Sequence, residues 1–311
     1  MAVDSELSVK ENPPLHKPEA AHRMELRARH HHLTFPRRPL LMGIVNVNDD
    51  SFCDDGSLDP DWASKKMATL LRDGADIIDI GAESARTNRP PITEAEEIAR
   101  LLPAIETFKQ SEIQNPRSKI LSVNTWRPTV AAAALAAGAD LLNDMGGLPT
   151  EDNARLCAAH GAALLIMHTL APPKVPQTAA TYPGIIETLL EFFERKIQQA
   201  TAAGLPREQI LLDPGIDFAK QRADNLTIYR HLDQLAALDR PLLLPVSRKT
   251  VIGDVLDQPN PGDRDPGTVA SIVACVRRGA HVLRVHNVRA ARQTLDTILP
   301  TPAEASIPVG Q

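Results

Sequence analysis

Short, nearly continuous runs of Val, Ile and Leu recur through the middle of the chain. There are eight of them, at residues 40–47, 75–82, 119–125, 139–145, 162–168, 209–215, 241–247 and 281–288. Runs that are apolar on both faces are typical of strands in a buried parallel sheet. Ala- and Leu-rich amphipathic stretches lie between them and predict helices. Several of these stretches end in Gly-Ala, where the glycine can cap the helix before the next strand.

This alternation predicts an α/β fold, a single-domain (β/α)₈ TIM barrel, because eight strand–helix units over about 260 residues match that barrel in number and size. The alternative is an open doubly wound sheet, which usually carries a Gly-rich nucleotide loop after its first strand. Neither G-x-G-x-x-G nor G-x-x-x-x-G-K-[ST] occurs in the chain. We expect the barrel at residues 38–300, a flexible N-terminal extension at 1–37 and a flexible C-terminal tail at 301–311.

Composition narrows the class of protein further. The 311 residues are 43% hydrophobic and carry a net charge of −5, which gives no reason to expect nucleic-acid binding. No apolar run reaches the ~18 residues of a membrane helix, and the polar start MAVDSELSVKENPP lacks an apolar signal-peptide segment. The three cysteines, Cys53, Cys157 and Cys275, are scattered and indicate free thiols. We therefore expect a cytoplasmic protein that binds neither nucleic acid nor membranes.

Three consecutive histidines, His30 to His32, stand in the N-terminal extension. They could chelate a metal ion, but no further ligand lies at a supporting spacing in the sequence. The favoured interpretation is a solvated or partly packed loop.

Polar residues follow the predicted strands where the strands end, and in a barrel this edge carries the chemistry. A single polar residue there is commonly a cap or a satisfied core group, but eight such ends together favour a rim for a flat, polar heterocycle. In chain order these residues are Asn46, Asp79, Glu83, Asn124, Asn143, Asp144, His168, Asp213, Ser247, Lys249, Arg284 and His286.

The cations suggest a separate site for phosphate. Arg284 and His286 alternate along the last strand, so both side chains can point the same way, and this part of a barrel commonly binds phosphate. Arg86 follows the second strand. Asn46 with Asp49 or Asp50 could hold Mg²⁺ through oxygen ligands, although turn chemistry explains these aspartates equally well.

No covalent mechanism is indicated. No Ser–His–Asp arrangement is recognisable, and Cys53 has no histidine partner at a supporting spacing. The pattern favours stabilisation of charge during group transfer.

From about residue 40 to 298 the chain resembles the dihydropteroate synthase family. The motifs that carry the resemblance are GIVNVNDDSFCDDG, IIDIGAESARTN, SVNTW, LLNDMGGL, LLIMH, LLDPGIDFAK, SRKTVIG and LRVHNV, in that order. The resemblance implies that 4-aminobenzoate displaces pyrophosphate from 6-hydroxymethyl-7,8-dihydropterin pyrophosphate through a pterin carbocation, with Mg²⁺ as the metal. It also implies a homodimer.

The same resemblance implies roles for particular residues. Asn143, Asp213 and Lys249 would hold the pterin, and Met167 and Phe218 would contact substrate. Pyrophosphate would be held by Arg284 and His286 together with Asn46, which would also hold the metal, and Arg86 would lie near the second phosphate. Ser247 would border the aminobenzoate site. Asn124, Lys249, Arg284 and His286 would be the catalytic residues.

The chain departs from the family pattern on this catalytic face. Asn124 replaces an Asp and Ala85 a hydroxyl residue, while Asn48, Asp49, Asp217, Ala219, Pro245 and Asn287 are further replacements. Loss of a carboxylate beside a developing cation weakens turnover more than binding, unless Asp217 or Asp49 compensates. Two alternatives therefore stay open: a catalytically weakened pterin-binding paralogue and, less favoured, a pterin-dependent methyltransferase.

Overall fold

The computed structural model describes residues 23–49, 51, 53, 55–85, 87–110, 119–176 and 180–299. They begin with a β-hairpin and continue through eight parallel strands. The hairpin strands are β1 (Met24–Ala28) and β2 (His31–Phe35). The parallel strands are β3 (Leu40–Asn46), β4 (Ile77–Gly81), β5 (Ile120–Asn124), β6 (Leu141–Asp144), β7 (Ala163–Met167), β8 (Ile210–Asp213), β9 (Leu243–Leu244) and β10 (Val282–Val285).

The eight parallel strands form the predicted barrel. They lie in the order β8-β7-β6-β5-β4-β3-β10-β9. A parallel bridge between Leu212 and Leu242 brings the two ends of this order together, and the Leu212 N–H donates to the Pro241 carbonyl at 3.0 Å. Each of the eight apolar runs in the sequence contains one strand, so the prediction of a TIM barrel is confirmed.

Nine α-helices surround the barrel in the described part of the chain. Two of them, α7 and α8, follow β9, which is why helices outnumber parallel strands. The helices are α1 (Pro60–Arg72), α2 (Glu94–Gln110), α3 (Pro128–Ala137), α4 (Asp152–His160), α5 (Ile185–Ala202), α6 (Arg222–Arg230), α7 (Thr250–Leu256), α8 (Asp265–Val276) and α9 (Val288–Ile298). The predicted glycine caps are present, since Gly138 and Gly161 end α3 and α4 in the left-handed conformation.

Two apolar cores result from the alternation of side chains along each strand. One set packs outward against the helices, and Val45, Ile78 and Leu121 belong to it. The other set fills the barrel interior. It comprises Leu40, Met42, Ile77, Ile120, Leu141, Ala163, Leu165, Met167, Leu211, Leu243 and Val282. Continuing the inward-facing positions toward the strand ends leads to the polar residues of the predicted rim.

The β1–β2 hairpin closes the end of the barrel where the strands begin. Leu26, Ala28 and Phe35 are fully buried and pack into the interior core. The expected flexible extension at 1–37 is therefore wrong for residues 24–35. The error has a physical reason, because each hairpin strand buries only a few side chains and shows too little periodicity to be recognised. Residues 1–22 and 300–311, including the expected tail, lie outside the described residues, so the domain boundaries stay a prediction. No helix of the described segments is long and apolar enough to span a membrane.

The loop after β8 holds two residues in the left-handed conformation that usually favours glycine. Asp217 has φ of 68° and Ala219 has φ of 52°. Asp217 uses this conformation, because its carboxylate accepts hydrogen bonds from the backbone N–H groups of Thr250 and Val251 at the start of α7. Ala219 has no side-chain hydrogen bond to offset the same strain.

Glycine substitution should therefore have opposite effects at the two positions. Ala219→Gly should stabilise the fold by up to about 1 kcal/mol, because left-handed backbone costs a Cβ-bearing residue about that much. Asp217→Gly should destabilise it by about 1–2 kcal/mol through loss of the cap. Thermal unfolding of both variants checks this. A lower melting temperature for Ala219→Gly would contradict the assignment of strain.

Candidate functional site

A cavity of about 530 Å³ opens at the C-terminal ends of the strands, a volume typical of small-molecule sites. Ten of the eleven residues assigned from the sequence line it. They are Asn46, Asn124, Asn143, Met167, Asp213, Phe218, Ser247, Lys249, Arg284 and His286. The eleventh, Arg86, lies outside the described residues, as does the candidate metal ligand Asp50. The structure thus brings the residues together, and their individual roles stay predictions.

A buried carboxylate, Asp79, organises the floor of this cavity. It is fully buried and accepts hydrogen bonds from Ser122 at 2.6 Å, Asn143 at 3.1 Å and Arg284 Nε at 2.8 Å. The bond from Nε fixes the guanidinium plane and leaves both terminal nitrogens of Arg284 without a partner among the described residues. Asp79 was noted at a strand end but not assigned to the site. Its position on the inward face, two residues before the end of β4, is the signal that could have identified it.

Asn124 follows Ser122 by two residues on β5, so it lies nearer the C-terminal ends of the strands than this network. The strand register pairs it with Gly81 on β4 and with Asn143 on β6. The side chain is buried, and its Oδ1 atom has no hydrogen-bond partner among the described residues. An unpaired buried carbonyl is costly, so this oxygen is an acceptor available to a ligand N–H group.

Asp213 and Lys249 face the same cavity from β8 and from the start of α7. Asp213 accepts the Gly215 N–H at 2.7 Å, while the Lys249 ammonium donates to the Ile216 carbonyl at 3.0 Å and lies 5.1 Å from the centre of the Phe218 ring. Burial raises the pKa of Asp213 to about 6, against the opposing effect of the Gly215 N–H and nearby lysines. Burial likewise lowers the pKa of Lys249, and Asp217 and Asp213 oppose that shift.

Two of the polar strand-end residues point away from the cavity. Asp144 and His168 occupy outward-facing positions, where Asp144 accepts from Asn153 at 2.9 Å and His168 Nδ1 lies 2.9 Å from the Lys220 ammonium. Glu83 is tied to the cavity edge by ion pairs with Arg127 at 2.7 Å and Lys174 at 3.4 Å. Asp144 and His168 therefore support the rim and do not form its binding surface, whereas Glu83 lines the cavity with its carboxylate engaged by these two cations.

Neither residue considered as compensation for Asn124 supplies a free carboxylate. Asp49 is exposed and lies 3.6 Å from Arg100, so it is also displaced from the metal site expected near Asn46. Asp217 lines the cavity, but both its oxygens are engaged by α7.

The oxygen-rich group at Asn46 is completed by Asp55, which sequence reasoning missed. Asp55 Oδ1 accepts from Asn46 Nδ2 at 2.9 Å and from Ser51 at 2.5 Å, and Oδ2 lies 3.9 Å from His286 Nε2. Burial acts to raise the pKa of Asp55, but His286 and the hydrogen bonds from Ser51 and Asn46 outweigh it and lower that pKa. Asp55 lies in the loop between β3 and α1. Because a loop has no strand periodicity, the pattern of strand ends did not identify Asp55 as a site residue.

His286 connects this group to Ser247. Burial lowers the pKa of His286 to about 3, against the opposing effect of Asp55, so the ring is neutral at neutral pH. Ser247 Oγ lies 2.8 Å from His286 Nδ1 and also accepts the His286 backbone N–H at 3.2 Å. A hydroxyl that accepts this N–H can give its own proton to Nδ1, which leaves the ring proton on Nε2.

Ser247, His286 and Asp55 thus form a row that the sequence did not reveal. It does not function as a hydrolytic triad in this geometry, because the 3.9 Å between Asp55 and His286 exceeds hydrogen-bond distance. The row instead directs a neutral imidazole N–H toward Asp55.

The replacement of the family's Asp by Asn287 has no structural cost among the described residues, because both polar atoms of the side chain are hydrogen-bonded. Its Oδ1 accepts the Ala290 N–H at 3.0 Å at the start of α9, and its Nδ2 donates to Asp265 at 3.0 Å. Asn and Asp are equally good at such caps. Ala85 and Pro245 line the cavity and present no side-chain hydrogen-bond donor or acceptor there.

Fold and site together define a (β/α)₈-barrel protein with a cavity for a polar ring beside a cationic, oxygen-rich subsite. The chain belongs to the pterin-binding enzyme family, since the model of that family, described as "Pterin binding enzyme", matches residues 42–286. It is 39% identical over 259 residues to a dihydropteroate synthase of Synechocystis sp., an alignment that covers 83% of this chain and 88% of the relative.

Solved structures agree in both fold and sequence. Dihydropteroate synthase of Thermus thermophilus in complex with 4-aminobenzoate has a TM-score of 0.76 and 36% identity, over 88% of this chain and 98% of that one. The same enzyme in complex with 6HMPPP has a TM-score of 0.74 and 35% identity, over 88% and 98% of the two chains. The resemblance to this family is thereby confirmed.

The raised pKa of Asp213 predicts a pH-dependent stability. A carboxyl whose folded pKa of about 6 exceeds its ordinary value of 3.8 costs stability when ionised, so its cost is nearly absent below pH 4, grows between pH 4 and pH 6, and is constant above that range. Asp213→Asn should therefore raise the unfolding free energy at pH 7.5 by roughly 3 kcal/mol and change it little at pH 4.

Denaturant unfolding of both proteins across this pH range measures the difference. Asp254→Asn, at an exposed carboxylate, is the matched control and should show no such pH-dependent gain. An equal gain for Asp213→Asn at both pH values would contradict burial as the cause.

Proposed function

We propose that this protein is a dihydropteroate synthase in folate biosynthesis. It joins 6-hydroxymethyl-7,8-dihydropterin pyrophosphate to the amine of 4-aminobenzoate and releases pyrophosphate. One observation carries the proposal: a single cavity combines a buried amide-and-carboxylate surface, formed by Asn124, Asn143 and Asp213, with the terminal guanidinium nitrogens of Arg284, which no described residue engages. Relatives that carry this name, and the two Thermus complexes, support it.

The pterin ring is held by the buried surface. Asp213, when ionised, accepts the N–H groups of the aminopyrimidine edge, and the unpaired Oδ1 of Asn124 accepts a further ring N–H. Lys249 donates to the ring carbonyl, and Met167 and Phe218 supply apolar contact. Because these groups are fixed by burial and by neighbouring hydrogen bonds, the ring is oriented before any bond breaks.

The reaction breaks the bond between the methylene carbon and the pyrophosphate oxygen, and both electrons leave with that oxygen. The positive charge left on the methylene carbon is shared with the ring. The 4-aminobenzoate nitrogen then bonds to this carbon and loses a proton. Arg284 donates hydrogen bonds to the oxygens that gain charge. The neutral His286 donates a further hydrogen bond from Nε2, so both residues stabilise the leaving group.

The residues around Asn46 fit a magnesium ion. Mg²⁺ prefers hard oxygen ligands, and Ser51 Oγ and Asp55 Oδ1 lie 2.5 Å apart. Asn46 Nδ2 donates to both of these oxygens, so its amide would have to rotate to present Oδ1 to an ion. Asn46 and Asp55 are the residues that would hold it. When bound, the ion would neutralise charge on the departing pyrophosphate.

Two wider properties belong to the same proposal. Its setting is the cytoplasm, which three free cysteines support. The functional unit is a homodimer, which rests on resemblance to the family.

Steady-state assay of the purified protein with both substrates and Mg²⁺ is the direct test, with 7,8-dihydropteroate and pyrophosphate as the expected products. Calorimetry separates the alternatives. A weakened paralogue, which Asn124 favours, would bind pterin pyrophosphate and form little product. A methyltransferase would ignore pyrophosphate, whereas the Arg284 site should bind it. Pyrophosphate binding without any product would overturn the proposed activity and leave the binding site intact.

Asn124→Asp should raise the rate of product formation about tenfold or more. The added carboxylate stabilises the developing pterin cation, and Asp79 below it is already neutralised by Arg284. Single-turnover rates with saturating substrates measure the effect.

Asn143→Asp is the matched control for this prediction. Its new carboxylate would replace the amide that donates to Asp79, so the two anions would repel and the rate should fall. An unchanged or lower rate for Asn124→Asp would identify the amide as the working group at that position.

A further inference from the structure

A second group of potential ligands lies at the opposite end of the barrel from the cavity. It consists of His30, in the turn between β1 and β2, His31, the first residue of β2, and Asp140, which directly precedes β6. One ligand atom from each residue lies within 4.8 Å of the other two. The histidines stand more than one hundred positions before Asp140, which is why the sequence showed three histidines and no further ligand.

The buried side chain of His31 is the strongest indication that this cluster binds a ligand. Its side chain is only 8% exposed, and its Nε2 atom lies 3.8 Å from Asp140 Oδ2. That distance is too long for a hydrogen bond, and Nε2 has no other partner among the described residues. A buried polar atom without a partner costs stability. A bound cation between His31 and Asp140 would satisfy both groups.

The cluster is held rigidly enough to form a site. Asp140 Oδ2 accepts the Leu121 N–H at 2.9 Å, which fixes the carboxylate against β5. The hairpin turn is fixed by the Arg29 N–H, which donates to the Gly161 carbonyl at 2.7 Å. His30 is exposed, and its ring centre lies 4.1 Å from that of His31, so one side of the cluster is open to water.

Arg29 is the group that opposes a cation here. Its Nε lies 4.0 Å from Asp140 Oδ1. The guanidinium is directed elsewhere, however, because it donates to the backbone carbonyls of Ala139 and Leu135. The carboxylate therefore keeps a lone pair for a metal ion.

We propose that His30, His31 and Asp140 bind one divalent transition-metal ion of the zinc class, with water in the fourth position. Two imidazoles and one carboxylate form a donor set that suits Zn²⁺ and does not suit Mg²⁺. Tetrahedral bonds of about 2.0–2.2 Å require ligand atoms about 3.3 Å apart. The exposed His30 side chain can rotate toward the other two, and the 3.8 Å between His31 Nε2 and Asp140 Oδ2 must shorten slightly. The ion would tie the hairpin to the barrel.

Zinc titration of the full-length, chelator-stripped protein tests this site. The titration is read by competition with a chromophoric zinc chelator, with millimolar Mg²⁺ present to occupy the oxygen-rich site near Asn46. We expect one Zn²⁺ per chain, with affinity reduced at least tenfold by His31→Ala and by His30→Ala. Zinc should also raise the melting temperature of the parent protein but not of these variants.

His32→Ala is the matched control, because His32 is the neighbouring exposed histidine and lies outside the cluster. It should bind zinc as the parent does. An equal loss with His32→Ala would mean that the histidine tract chelates as a flexible segment, and unchanged binding in His30→Ala and His31→Ala would place the zinc elsewhere. Either result overturns the proposal.

Cobalt substitution gives a readout that does not depend on stability. Co²⁺ bound by two imidazoles and a carboxylate should show the visible absorption of a four-coordinate site in the parent and in His32→Ala, and lose it in His31→Ala. Circular dichroism confirms that each variant is folded, and the exposed His30 gives a variant with little risk to the fold. Because this site is remote from the cavity, its failure would leave the proposed transferase activity untouched.

Discussion

The buried ion pair between Asp79 and Arg284 is the interaction on which the geometry of the cavity depends. A carboxylate inside a barrel is tolerated only when its hydrogen-bonding capacity is met, and Asp79 meets it with Ser122, Asn143 and Arg284. Through these bonds one side chain on β4 fixes groups on β5, β6 and β10. The same carboxylate therefore positions the amide of Asn143 and the guanidinium of Arg284, which the proposed function assigns to the pterin and to pyrophosphate.

Much of the fold could be predicted because buried parallel strands leave a strong signal in the sequence. Eight apolar runs gave eight strands, and alternation along them placed Asn46, Asn124 and Arg284 on one inward surface. The same alternation would have excluded Asp144 and His168 from the cavity surface, because their side chains face outward. The structure brings ten of the predicted residues to one cavity, and their roles there stay predictions.

Other features could not be predicted, because they depend on contacts between distant segments without a periodic pattern. The hairpin buries a few side chains in a core made by other strands. Asp55 lies in the loop after β3 and approaches His286, and Asp140 lies near His31 because the hairpin packs against the barrel. In each case the residue type is visible in the sequence, but its partner is set by three-dimensional closure.

The departures from the family pattern differ in consequence once their surroundings are known. Asn287 and Asp217 have taken up capping roles at α9 and α7, so they preserve or strengthen the scaffold. Asn124 has no such compensation. Asp79 is matched by Arg284, and Asp213 lies near Lys249 and Lys220, so an amide at position 124 leaves the cavity relatively rich in cations. That balance favours binding of a pyrophosphate, an anion, more than it favours the cationic pterin formed when pyrophosphate leaves. Since only interactions that strengthen in the transition state raise the rate, the substitution should spare substrate affinity and act on the bond-breaking step.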